Sequence, residues 1–111
     1  MPNNLANLSA LTSLCLRNCG LHGFIPSSLG NLKYLKFLRL SKNNFEGHIP
    51  SSLGNLIQLS TLALNSNNLT GPIPFELANL TQLTQLFLYY NTIKGQIPFG
   101  LMNLTKLTLL N

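Results

Sequence analysis
The chain has 111 residues, of which 45% are hydrophobic and 8% are charged. That length and apolar content describe one domain able to bury a core, and they exclude a disordered chain. A net charge of +5 and a pI near 9.6 favour acidic partners, without choosing among anionic polysaccharide, membrane surface and nucleic acid.

The first ten residues, MPNNLANLSA, carry neither a basic start nor a continuous apolar run, so they do not form a secretory signal. No later stretch is apolar for the length a membrane span requires. Leu14-Cys15-Leu16 places an outward Cys15 between two inward leucines, and Cys19 follows at a position that should face inward. Two thiols on different faces are too few for a disulfide scaffold and read as separate groups. Gly23 allows a backbone conformation or a close approach that a side chain would obstruct. Pro26 then fixes φ and removes a donor, which suits the first turn of a short helix or 3₁₀ segment through SSLGNL. Gly30-Asn31 should end that segment.

Leu38-Arg39-Leu40 alternates in and out with period two and predicts a short strand, as do Leu62-Ala63-Leu64 and Leu86-Phe87-Leu88. Asn43, Asn67 and Asn91 each stand three residues after the last strand leucine, where the chain must turn inward and leave amides without ladder partners. A carboxamide has both donors and acceptors, so stacked Asn residues make a sensible inward ladder. Cys19 breaks that column, and a weakly donating thiol there predicts a looser first turn.

These elements belong to one unit repeated every 24 residues. Leu5, Leu29, Leu53, Leu77 and Leu101 begin successive copies across residues 1–111, the last incomplete, and no insertion breaks the register. In the copy from 29 to 52 the apolar positions are Leu29, Leu32, Leu35, Leu38, Leu40, Phe45 and Ile49, and each is apolar in every other copy that reaches it. One unit cannot close a core, but stacked units can, each placing its apolar side chains between those of its neighbours. The strands should then lie side by side and parallel at about 4.8 Å.

The pattern LxxLxxLxLxxNxLxGxIPxx, present as LKYLKFLRLSKNNFEGHIPSS, resembles the plant-type extracellular leucine-rich repeat over nearly the whole chain. The resemblance implies an α/β right-handed solenoid with a parallel β-sheet on the concave face and short 3₁₀ or helical convex segments. It also implies a second short strand at the GxIP segment. It further implies a ligand-binding segment of a plant cell-surface receptor in signalling or defence, located outside the cell or secreted. Its partners would be an extracellular protein or peptide, with a co-receptor. The alternative it offers is a secreted inhibitor of microbial cell-wall hydrolases. The family's paired-cysteine cap, signal peptide, membrane span and kinase do not occur within these residues, so a piece of a longer array or a truncated product is expected.

For chemistry, the sequence provides little. Glu46 and Glu76 are its only carboxylates and occupy different repeat positions, so no acid–base pair is set up and no enzyme is expected. His22 and His48 fall in different columns without partners at metal-ligand spacing, and no cofactor is implied. Lys33, Lys36, Arg39 and Lys42 wind around the coil instead of lining a groove, which disfavours nucleic acid. Binding is the better reading. The outward side chains of the strand face are basic in the first two coils, with Arg17, Arg39 and Lys42, and aromatic in the fourth, with Phe87, Tyr89 and Tyr90. Arginine and exposed aromatics are the usual hot-spot types. Together with Phe37, Asn65 and Gln85 they form the expected ligand surface. Asn7, Asn68, Asn79 and Asn103 head Asn-x-Ser/Thr sequons and are expected glycan acceptors, three of them at the convex LxNL position.

Overall fold
The computed structural model describes residues 8–110, the last two by backbone alone. The column leucine Leu5 and the sequon at Asn7 lie outside the described residues. Among the described residues, nine short strands occur, successive pairs of them separated by 3₁₀ turns: β1 (Ser13–Cys15), β2 (His22–Phe24), β3 (Phe37–Arg39), β4 (Asn44–His48), β5 (Thr61–Ala63), β6 (Asn68–Gly71), β7 (Gln85–Phe87), β8 (Thr92–Ile93) and β9 (Leu109–Leu110). They form two parallel sheets, ordered β1-β3-β5-β7-β9 and β2-β4-β6-β8. Parallel crossovers of this kind wind right-handed, and the product is the solenoid that the repeat predicts.

In the first sheet, Leu38 pairs with Leu14 and Leu62, one repeat away on either side. Each strand begins one residue before the expected Leu-x-Leu triplet. The ladder nonetheless continues through the second leucine, since Leu40 N–H donates to the Ala63 carbonyl at 2.8 Å. In the second sheet the pairing advances by two residues fewer: Phe24 lies opposite Glu46, and His48 opposite Thr70. An even slip preserves which face each side chain occupies.

The second strands end before the Ile-Pro pairs instead of containing them. Pro26, Pro50 and Pro74 are the N-caps of the 3₁₀ turns Ser27–Asn31, Ser51–Asn55 and Phe75–Asn79, each with ψ near 133°. Their carbonyls accept from Leu29, Leu53 and Leu77 at 3.2 Å. Gly30 and Asn31 lie inside the turn, and Leu32 is its C-cap, so Gly-Asn does not terminate it. Gly30 serves another purpose. A Cβ there would sit 2.9 Å from the Ser52 Cβ, and one on Gly54 would sit 2.8 Å from the Glu76 Cβ. Glycine lets the convex turns of neighbouring coils touch.

All seven apolar positions of the second unit, from Leu29 to Ile49, are at most 3% exposed. Burial of each such side chain is worth about 1.5–3 kcal/mol. The Asn column forms the expected ladder. Asn43 Nδ2 donates to the carbonyls of Leu16, Leu40 and Ser41, and its Oδ1 accepts from the backbone of Cys19 and Leu21. The Cys19 side chain, by contrast, is exposed and makes one bond, Sγ to the Arg17 carbonyl at 3.4 Å. Its turn is held from the next coil, through Asn43.

Candidate functional site
The first sheet turns its even-numbered leucines, such as Leu38 and Leu62, into the core and presents the odd-numbered side chains to the concave face. Arg17, Arg39 and Lys42 stand at one end of this face, and Phe87, Tyr89 and Tyr90 at the other. A hollow of about 430 Å³ lies between them, with Ser41, Ala63, Asn65 and Ser66 as its remaining lining. Seven of the nine expected ligand residues therefore meet at one place. Phe37 and Gln85 do not line it. The Gln85 Oε1 accepts from the Thr61 hydroxyl at 3.3 Å, and Phe37 carries the Arg39 guanidinium over its ring at 5.2 Å.

Register explains the shape. Arg39, Ala63 and Phe87 are consecutive cross-strand neighbours, so a small residue sits between two large ones. Thr61, Ala63 and Asn65 point outward, yet they are only 3%, 6% and 7% exposed because the neighbouring coils overhang them. Asn65 thus contributes to the floor of the hollow.

The aromatic wall is ordered by its own contacts. Phe87 and Tyr89 meet edge to face with centroids 6.3 Å apart, and Tyr89 and Tyr90 do so at 5.1 Å. Such edge-to-face pairs add about 0.5–1.5 kcal/mol beyond area burial. Tyr90 nevertheless remains 79% exposed. It occupies the column Asn18, Lys42, Ser66 and Tyr90, whose φ values of 55–60° are left-handed. This conformation is held by bonds to the next coil: Asn18 N–H to the Ser41 carbonyl, Lys42 N–H to Asn65, and Ser66 N–H to Tyr89, at 2.9–3.1 Å. The corner aims Lys42 and Tyr90 out along the rim.

The other expected residues are dispersed. Cys15 and Cys19 are both free and exposed. His22 and His48 are exposed in β2 and β4, and no group of three metal-ligating side chains occurs among the described residues. Asn79 and Asn103 are exposed at the ends of their convex 3₁₀ turns, while Asn68 is exposed in β6.

Sequence reasoning missed a larger hollow of about 780 Å³ on the flank that leads from the convex turns into the first sheet. It is lined by Lys36, Phe37, Ile57, Gln58, Ser60, Thr81, Gln82, Thr84 and Lys106. A signal was present: the column Thr12, Lys36, Ser60, Thr84, Thr108 is polar in every copy.

A family profile for the leucine-rich repeat region matches residues 1–111. Among solved structures, the chain is similar to a TDR receptor, with 42% identity and a TM-score of 0.97 over 99% of this chain and 19% of that one. It is also similar to the plant peptide hormone receptor RGFR1 in complex with RGF2, at 42% identity and a TM-score of 0.88, covering 89% of this chain and 16% of that one. A third is the Arabidopsis receptor kinase HAESA in complex with the peptide hormone IDA and the co-receptor SERK1. There the identity is 39% and the TM-score 0.83, over 99% of this chain and 23% of that one. The chain thus spans 16–23% of the length of these receptors. No relative was found among curated proteins.

Proposed function
The chain belongs to the leucine-rich-repeat family, and from that premise we propose that it is a ligand-binding segment of a plant receptor ectodomain, acting by recognition and not by catalysis. The observation that carries this reading is the concave hollow in which a cationic wall faces an aromatic one across a small-residue floor. The structures it is similar to support the reading, since two of them hold peptide hormones and one also holds a co-receptor. They favour it over a secreted hydrolase inhibitor.

The ligand is an extended extracellular peptide with a carboxylate near an apolar side chain. Arg17, Arg39 and Lys42 draw the carboxylate in, and a charge-assisted hydrogen bond holds it. Phe87, Tyr89 and Tyr90 take the apolar group. Because Arg39 already rests on Phe37, and the aromatics on each other, little side-chain freedom remains to be lost on binding. The parent chain sits outside the cell, where the sequons at Asn7, Asn68, Asn79 and Asn103 carry glycans, those on Asn79 and Asn103 at the convex turns.

Titration calorimetry with synthetic peptides of acidic, neutral and basic composition tests the reading. Acidic peptides with an aromatic or branched residue should bind, and Tyr89→Ala with Tyr90→Ala should weaken them while the convex control Asn55→Ala does not. Equal losses from the two variants would sink the concave-face assignment.

A further inference from the structure
The flank hollow is chemically unlike the concave one. Its walls are amides and hydroxyls from Gln58, Gln82, Ser60 and Thr84, with the exposed Ile57 as an apolar patch. Lys36 stands at one end and Lys106 at the other. Both carboxylates of the chain lie elsewhere, Glu46 in β4 and Glu76 beside the hollow that includes His48 and Phe75. The flank is therefore cationic without compensation.

Three features define what fits. First, the backbone beside the groove is already used within the fold. Ser60 and Thr61 N–H donate to the Lys36 carbonyl, Thr84 and Gln85 N–H to Ser60, and Thr108 N–H to Thr84. No strand can be added here, which removes the main-chain recognition that peptides use. Second, the hydroxyls are aligned along the stack as acceptors: Thr84 Oγ1 donates to the Ser60 carbonyl at 3.1 Å and Thr108 Oγ1 to the Thr84 carbonyl at 3.0 Å, which leaves their oxygens to accept. Such a row meets a ligand that is itself a row of hydroxyls. Third, the ammonium groups belong to coils three steps apart, about 14 Å at ~4.8 Å per step. Cations so sparse suit isolated carboxylates, whereas a phosphate backbone is gripped by a closer series of basic groups.

We infer that this groove binds an acidic oligosaccharide, a uronate chain lying along the solenoid axis. Lys36 and Lys106 pair with carboxylates, and Gln58, Gln82 and Thr84 meet ring hydroxyls. Ile57 packs on the C–H face of a sugar ring. Lys106 is held ready by its bond to the Gln82 Oε1 at 2.7 Å. The site is separate from the concave one and does not depend on it.

The test is calorimetry on the intact chain with a short galacturonate oligomer and its fully methyl-esterified, neutral counterpart. The acid should bind and the ester should bind at least about tenfold more weakly. Lys36→Gln with Lys106→Gln should weaken the acid about fivefold or more, in line with two partly exposed charge pairs. Gln58→Ala with Gln82→Ala should weaken it without any change of charge. The charge-matched control Lys94→Glu, at an exposed residue outside both hollows, should have no effect, and neither should the Tyr89 and Tyr90 alanine variant. Thermal melts confirm that these surface changes leave the fold intact. Equal binding of acid and ester, or of neither, overturns the inference. So does a loss in the control equal to that in Lys36→Gln with Lys106→Gln, or equal competition by a single-stranded oligonucleotide, which would reduce the site to general polyanion attraction.

Discussion
The side-chain amide of Asn67 donates to the carbonyl of Leu40, a full coil away, at 3.1 Å. The same nitrogen reaches Leu64 and Asn65 in its own coil, and Oδ1 accepts from Phe45 N–H. One buried carboxamide thus ties two coils together. Asn67→Ala should leave the buried Phe45 N–H without a partner, while Asn43, Asn91 and the Lys42 N–H still reach the Leu40, Leu64 and Asn65 carbonyls, and should cost about 1–3 kcal/mol. Chemical denaturation would show it, and a loss under about 1 kcal/mol would mean that water replaces the amide.

Position 19 offers the reverse experiment. Cys19→Asn should add a second donor to the Leu16 carbonyl, as Leu40 receives donors from both Asn43 and Asn67. A gain of about 1 kcal/mol is expected for one partly buried hydrogen bond. An unchanged melting temperature would show that Asn43 alone satisfies that turn.

Gly54→Ala should destabilise by about 1–3 kcal/mol through overpacking. Its Cβ would lie 2.5 Å from the Glu76 backbone oxygen, which cannot swing away. Gly20 has open space around it, so Gly20→Ala should cost only the strain of a φ of 67°. Comparing the two melts separates contact from conformation.

The left-handed corner predicts a gain. Ser66 holds φ at 60°, and Ser66→Gly should relieve a strain of about 1 kcal/mol. A fall in stability would mean that the loss of the Ser66 side chain outweighs the backbone relief.

Ala63 forms the floor between Arg39 and Phe87. Ala63→Leu should fill the hollow and abolish peptide binding while the strand, which tolerates branched side chains, still forms. Retained affinity would place the ligand elsewhere on the concave face.

Much of this was legible in the sequence because stacked coils make each residue's neighbours calculable from the period. The seven core positions and the Asn ladder follow from the 24-residue period, and the inward direction of Leu38 and Leu40 from local alternation. What escaped depends on the adjacent coil. Asn65 looked exposed because its own coil is small, and Arg39 and Phe87 cover the floor only once the coils stack. Gly30 looked like a turn terminator because its true reason, the approach of Ser52, is 22 residues distant. The flank hollow was hidden by its lining residues, which lie between leucines and draw no attention singly.

The third coil, finally, acts as a calibre. Its strand keeps the charged and aromatic walls one residue's width apart, since Ala63 pairs with Arg39 on one side and with Phe87 on the other. Excising residues 53–76 would preserve every stacking contact type while seating Arg39 directly against Phe87, and the opening would vanish. Duplicating the same unit would widen it by about 4.8 Å. The bore of the site is therefore set in whole repeats, and unequal recombination between such units changes what the molecule admits without disturbing how it folds.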